Sequence, residues 1–357
     1  MGGGVRVTER LAADEAGLAR AAALLRVGRL VAFPTETVYG LGAAANDAAA
    51  VAALYAAKGR PAENPLIVHL PTLAAARDVG VLDPLALRLA EACWPGPLTL
   101  VVPPAAGARL APAVTAGGST VGLRVPALPL ARRLLAEAGM PVAAPSANPS
   151  GRVSPTTAAH ALDRETGLGG RIDAVLDGGP CPVGVESTVV AVSDGAVRVL
   201  REGGLTLERL AEALGTAPEA IGAGQGHPDA RGRGAETPSQ GDGIGSVADA
   251  LPSPGMLASH YAPAARLRLG AQAPRPGEAW LGFGPDPSGV TGPARSLSGR
   301  GDLAEAAATL FAALRTLDSA VGPGGTIAVA AVPDTGLGRA INDRLRRAAA
   351  PRPNPRD

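Results

Sequence analysis

Phe33-Pro34-Thr35-Glu36-Thr37-Val38-Tyr39-Gly40-Leu41-Gly42 is the stretch on which the fold class turns. Leu30 to Phe33 reads as a short buried strand that Pro34 ends, and Asp47 stands where it can cap a helix through about Ala57. Between them lies a dense polar loop, at the end of a strand, where α/β proteins bind ligands. Thr and Glu are also ordinary capping residues, so the same loop reads equally well as a capped turn. Gly40-Leu41-Gly42-Ala43-Ala44-Ala45 fits G-x-G-x-x-A. It is weak support for a dinucleotide turn, because it does not directly follow the strand.

Outward from this stretch, strand and helix patterns alternate. A helix is expected over 14–27, and strands at 66–68, 98–102 and 121–125. A helix at 128–138 leads to strands at 142–144, 174–176, 188–192 and 197–200. That alternation predicts a mixed α/β domain over 14–204. Residues 205–263 read as a linker. It opens with a short helix at 206–214 and continues through a Gly/Pro-rich, aperiodic stretch at 215–255, expected to be mobile. Order is expected to return at Ser253-Pro254-Gly255-Met256. A second, smaller α/β domain follows over 264–350, with strands near Leu267, near Leu281 and over Thr326 to Ala330. Its longest helix runs from Asp302 to Asp318, with Leu303, Ala307, Leu310, Leu314 and Leu317 on one face. The tail from Pro351 is expected to be disordered.

Composition narrows the function classes. A length of 357 suits two domains, each with a real core. The net charge of +1 supplies no overall field toward nucleic acid or a membrane, although a local basic cleft is compatible with it. Cys93 and Cys181 are too few for a disulfide framework or a multi-cysteine zinc site, and His69, His160, His227 and His260 lack metal-ligand spacing. The apolar run Ala48 to Ala57 is far short of the about 20 residues that span a bilayer, so a soluble cytoplasmic protein is expected. No Gly-Lys-Ser/Thr P-loop and no G-x-S-x-G nucleophile elbow occurs.

One residue stands out chemically. Of 33 basic residues only Lys58 is a lysine. A codon bias toward arginine explains the depletion but not the survivor. A compact ammonium on a flexible stem does what a wide planar guanidinium cannot. Lys58 and Arg60 flank Gly59 at a helix end, suited to a polyanion or, more plainly, to capping the helix. Arg124 lies in a strand and can fork onto a carboxylate. Ser146 and Asn148 put neutral donors and acceptors at a strand end, in a run that also favours a turn. With Arg201, Ser187 and Thr35, these residues describe a cleft for a nucleotide and an amino acid.

The motifs then resemble a known family. Lys58-x-Arg60 with Ser146-x-Asn148, the Phe33–Gly42 stretch, Asn64-Pro65-Leu66, Ser146–Gly151, His260-Tyr261-Ala262-Pro263 and Gly336–Arg344 together are similar to the L-threonylcarbamoyladenylate synthases, in their long two-domain form. The resemblance implies a YrdC-like twisted mixed sheet with a concave ligand cleft and a smaller, Rossmann-like C-terminal α/β domain. It implies a nucleotidyltransferase that makes threonylcarbamoyl-AMP and pyrophosphate from L-threonine, bicarbonate and ATP. The product would pass to a tRNA threonylcarbamoyl transferase acting on the adenosine next to the anticodon. Carried over residue by residue, Lys58, Arg60, Ser146 and Asn148 form the catalytic set. Lys58, Arg60, Thr120, Ser146, Asn148, Arg201 and Tyr261 would contact ATP. Thr35, His69, Arg124, Ala144, Ser146 and Ser187 would hold L-threonine. Mg2+ is expected on the ATP phosphates, without dedicated protein ligands. Tyr261 would bring the linker over the nucleotide as a lid. Weak binding of RNA, double-stranded RNA included, is a further expectation of the resemblance. Two rivals remain at this point. One is a non-enzymatic RNA-binding module, which the net charge and the 2% aromatic content disfavour. The other is a carbamoyl transfer to a different acceptor, whose accompanying zinc-finger cysteines are missing here.

Overall fold

The computed structural model describes residues 7–193, 195–223 and 260–351. Its strands are β1 (Glu9–Ala12), β2 (Val31–Pro34), β3 (Tyr39–Ala44), β4 (Ile67–His69), β5 (Leu98–Val102), β6 (Val121–Arg124), β7 (Val142–Ala143), β8 (Ala174–Asp177), β9 (Thr188–Ser193), β10 (Ala196–Arg201), β11 (Gly222–Ala223), β12 (Arg266–Ala271), β13 (Ala279–Gly282), β14 (Ala294–Ser296) and β15 (Thr326–Ala330). Its α-helices are α1 (Glu15–Arg26), α2 (Ala48–Lys58), α3 (Leu73–Arg77), α4 (Pro84–Cys93), α5 (Pro129–Ala138), α6 (Ala158–Leu162), α7 (Leu207–Leu214), α8 (Leu303–Val321) and α9 (Leu337–Ala349).

Among the described residues the first sheet has 11 strands in the order β1-β8-β2-β3-β7-β4-β6-β5-β9-β10-β11. It is mixed: β4 and β6 run parallel, whereas β2 with β3 and β7 with β4 run antiparallel. Strand alternation splits its apolar residues between two faces. Val31 and Phe33 join Leu18 and Leu25 of α1 and Leu134 of α5 in one core. Ala32 and Leu41 join Val51 and Leu54 of α2 and Leu89 of α4 in the other. Asp14 and Asp47 cap α1 and α2 by accepting the backbone N–H groups of Gly17 and of Ala49 and Ala50. The second sheet, β12-β15-β13-β14, is parallel throughout, with α8 and α9 against it.

A third core belongs to both halves of the chain. Val38, Val153 and Val185 of the first half pack in one cluster with Tyr261, Leu310, Phe311 and Ile341 of the second. The seam is also polar: the Arg315 guanidinium of α8 donates to the Val153 carbonyl and the Thr166 hydroxyl, and Ala262 N donates to the Gly151 carbonyl at 2.9 Å.

The structure departs from the sequence expectations at definite places. The Phe33–Gly42 stretch is not a loop leading to a helix. It is a hairpin, with Pro34 paired to Tyr39 and the Gly-rich run continuing as β3, so the G-x-G-x-x-A match lies in a strand rather than at a phosphate-binding turn. The first sheet begins at Glu9, ahead of residue 14, through the parallel pairing of β1 with β8. Helices α3, α4, α6 and α9 and strand β14 were not anticipated. Within the stretch from 215, the described residues include β11, which pairs with β10. The remainder of the Gly/Pro-rich stretch, the return of order at 253–256 and most of the tail lie outside the described residues. Among the described residues, no helix is long and apolar enough to cross a membrane.

Candidate active site

The parallel pairing of β4 with β6 sets His69 beside Arg124 at the ends of neighbouring strands. The β2–β3 hairpin turn, the loop after β7, the segment before β9 and the end of β10 reach the same edge. There they line a cleft with Thr35, Thr37, Arg60, His69, Arg124, Ala144, Ser146, Glu186, Ser187, Arg201, His260 and Tyr261 on its walls. Its unfilled space is about 530 Å³, solvent at the mouth included, a size ordinary for small-molecule sites.

Thr35 organises the hairpin turn. Its hydroxyl donates to the Val38 carbonyl at 2.7 Å and lies 2.8 Å from the Thr37 hydroxyl. The capped-turn reading is met by these bonds, and the same residue stands on the cleft wall. α2 ends at Gly59 in the left-handed conformation (φ 58°), which turns the chain between Lys58 and Arg60 and sends the two cations different ways. Arg60 goes to the cleft wall, held by the Pro65 carbonyl at 2.9 Å. Lys58 goes inward and is buried, its ammonium donating to the backbone carbonyls of Ser146 and Asn148. Burial foremost, then the Arg60 charge, holds its pKa well below the ordinary lysine value. The lysine thus staples the Ser146–Asn148 loop from behind.

Asn148 is likewise turned inward. Its amide donates to the Pro149 and Arg152 carbonyls, while its buried Oδ1 has no protein partner. Thr120 directly precedes β6 and is not among the residues that line this cleft. The remaining sequence candidates (Thr35, Arg60, His69, Arg124, Ala144, Ser146, Ser187, Arg201 and Tyr261) come together around the cleft.

Arg124 does not stand alone. Its Nη2 donates to Glu36 Oε1 at 2.7 Å in a buried pair, and its Nε lies 3.4 Å from the Gly96 carbonyl. His69 Nδ1 lies 3.2 Å from the Ile67 carbonyl, which fixes the proton there and leaves Nε2 as an acceptor. Burial, reinforced by Arg124, pushes the His69 pKa down to about 3. Arg201 donates to the Ser187 carbonyl at 2.9 Å, and the Ser187 hydroxyl lies 2.8 Å from that of Thr99.

Tyr261 is a buried residue with a left-handed backbone (φ 60°), a conformation that a non-glycine residue holds only where its surroundings impose it. Its ring stacks on Phe311 at 5.7 Å, and its hydroxyl, buried in the cleft wall, has no protein partner. Four polar residues on or directly behind the cleft wall were not singled out from the sequence: Glu186 and His260 on it, Glu36 and Arg344 behind it. Glu36 and His260 adjoin named candidates in quoted motifs, and Glu186 directly precedes the named Ser187. For Arg344, only its place in the Gly336–Arg344 motif pointed to it.

The comparisons with known proteins agree with one another. A family model described as "Telomere recombination" matches residues 23–203, and one described as "Threonylcarbamoyl-AMP synthase, C-terminal domain" matches residues 205–350. The chain is 40% identical to a threonylcarbamoyl-AMP synthase of Bacillus subtilis, over 98% of this chain and 97% of that one. It is 37% identical to one of Pyrococcus abyssi, over 97% of each. The crystal structure of P. abyssi Sua5 complexed with L-threonine superimposes with a TM-score of 0.79 at 35% identity, covering 96% of this chain and 97% of that one.

Proposed function

The chain belongs to the threonylcarbamoyl-AMP synthase family, and from that premise we propose that its cleft joins L-threonine, bicarbonate and ATP into threonylcarbamoyl-AMP with release of pyrophosphate. The activity is that of a nucleotidyltransferase serving threonylcarbamoylation of tRNA. The observation that carries the substrate assignment is the grouping of Arg60, Arg124 and Arg201 with neutral His69 around one cleft. Guanidiniums match carboxylate and phosphate geometry.

In this reading L-threonine lies at the His69–Arg124 end. Arg124, with Nη2 and Nε already aligned by Glu36 and Gly96, turns its remaining nitrogen to the threonine carboxylate. His69 Nε2 accepts from the hydroxyl or ammonium. The ammonium gives up a proton to solvent, and the free amine and bicarbonate give N-carboxythreonine and water. The new carboxylate then attacks the α-phosphorus of ATP, and pyrophosphate leaves. That nucleophile is already anionic, so the second step needs placement and charge neutralisation more than a base. Arg60 and Arg201 oppose the phosphate charge. Lys58 acts one layer back, by fixing the loop that presents Ser146.

Mg2+ belongs to this reading as a companion of the nucleotide. Among the described residues no group of three or more His, Cys, Asp or Glu side chains could hold a metal; Glu186 on the cleft wall is held by Arg344, and Glu36 behind it by Arg124. In this reading the ion would be carried on phosphate oxygens and water, where it would offset phosphate charge. The product, made in the cytoplasm, would be handed to a tRNA threonylcarbamoyl transferase. The test is pyrophosphate release with the full chain, omitting one substrate at a time. Release that needs ATP, threonine and bicarbonate together is the expected result; release unchanged without threonine would sink the assignment.

A further inference from the structure

Glu186 is a carboxylate on the wall of a cleft otherwise rich in cations. The group that holds it comes from the other half of the chain. Arg344, on α9, has no exposed surface. Its Nε donates to Glu186 Oε2 at 3.0 Å, and its Nη1 donates to the Glu202 carbonyl at the end of β10. Its Cζ lies 5.4 Å from the centre of the Tyr261 ring. Ser154 donates to the other oxygen of Glu186, and Asp343 lies 3.1 Å from Arg344 Nη1. One guanidinium thus reaches the carboxylate, the end of β10 and the face of Tyr261 at once, which the single-point ammonium of lysine cannot do. Burial alone would raise the Glu186 carboxyl. Arg344 foremost, then Arg201 and the Ser154 hydroxyl, bring it below its ordinary value, so the carboxylate is ionised at neutral pH.

An ionised carboxylate next to Arg201 has two ways to be compensated. It can draw on the phosphate-binding cations, or on a cation from outside the cleft. The structure gives the direct ion pair to Arg344, from outside the cleft, with Arg201 the lesser influence.

We propose that Arg344 is a positioning residue by which the second domain sets the charge of the nucleotide end of the cleft: it neutralises Glu186 so that phosphates meet Arg60 and Arg201 rather than an uncompensated carboxylate. The proposal rests on the nucleotide reading above. It gives the Gly336–Arg344 motif a task at the site although Arg344 does not line the cleft.

The test is the dissociation constant of Mg-ATP, by equilibrium titration of the full chain at fixed salt, for wild type, Arg344→Met, Glu186→Gln and the double variant. Arg344→Met leaves Glu186 uncompensated and weakens ATP by roughly tenfold or more, the scale set by truncating one partner of a buried charge pair. Glu186→Gln removes a negative charge from the cleft wall, leaves Asp343 as the partner of Arg344, and tightens ATP. The double variant returns toward wild type, and L-threonine affinity moves much less in all three. A merely structural link predicts weaker ATP binding in every variant, and that outcome overturns the proposal. Should Arg344→Met fail to fold, Glu186→Gln alone decides: tighter ATP supports the proposal, and unchanged or weaker ATP overturns it. A wild-type chain that binds no ATP removes the nucleotide reading itself, and this is seen before any variant is compared.

Discussion

An ammonium donates in three directions from one point, and Lys58 uses two of them on the carbonyls of Ser146 and Asn148. A guanidinium cannot place its nitrogens in that space without moving the loop. Lys58→Arg, which keeps the charge, is therefore expected to lower turnover on the order of 10- to 100-fold, the scale of a lost charged hydrogen bond in a buried setting. Pyrophosphate release measures it, and turnover within threefold of wild type would contradict the staple. The sequence singled out Lys58 through its rarity, but only the fold shows that its partners are backbone carbonyls. The same holds for Asn148, whose amide serves its own loop. A motif names residue types; which of them face the ligand depends on the turn at Gly59 and on burial. The histidines carry a second expectation at this scale. Burial holds the pKa of His69 and of His260 down to about 3, and that of His160 to about 4. In the unfolded chain each returns to about 6.5. As pH falls below about 6.5 the unfolded state takes up protons that the folded state does not, so stability is lost progressively toward the folded values. Denaturant titrations at about pH 7.5 and about pH 5.5 should show lower stability at the acid point, by up to ~1.4 kcal/mol per pH unit for each buried imidazole. A flat profile between them would mean that these rings take up protons in the folded chain.

Among the elements, β3 was the hardest to anticipate and sits closest to the site. Its sequence, Tyr-Gly-Leu-Gly-Ala-Ala, has little strand propensity, because glycine and alanine are poor strand formers. It is a strand because its neighbours require small residues: a Cβ at Gly42 would lie 3.0 Å from the Phe33 ring and 3.1 Å from Val142. Tertiary packing overrides propensity there, and no local pattern carries that information. By contrast, β5 and α5 came out close to their expected bounds, since their apolar spacing is itself the cause of their burial. Another close approach joins elements of the two halves. Gly184, between β8 and β9, has φ 77°, and a Cβ there would lie 2.3 Å from the Ala307 carbonyl oxygen of α8. Backbone cannot yield as a side-chain tip does, so Gly184→Ala should cost about 2–4 kcal/mol of unfolding free energy through strain and displacement of α8. The shift in denaturant midpoint reads this directly; a loss below about 0.5 kcal/mol, the scale of an ordinary surface change, would rule the close approach out.

At the scale of the whole molecule, the division into two α/β units was legible from the Gly/Pro-rich stretch between them, but their union was not. Val38, Val153 and Val185 are spread along the first half, and nothing in their spacing marks them as core residues of the second. Long-range contacts of this kind leave no periodic trace. The buried tie from Arg344 to Glu186 crosses the same seam, as does the grip of Arg315 on Val153 and Thr166. This seam has a consequence for how such a chain can change over time. Each half presents the other with a surface that is wrong for water, so neither can be exchanged freely with its counterpart from a relative. A chimera would have to import the valines, the glutamate and the arginine as a set, which makes the two halves one heritable unit even though each has a sheet of its own.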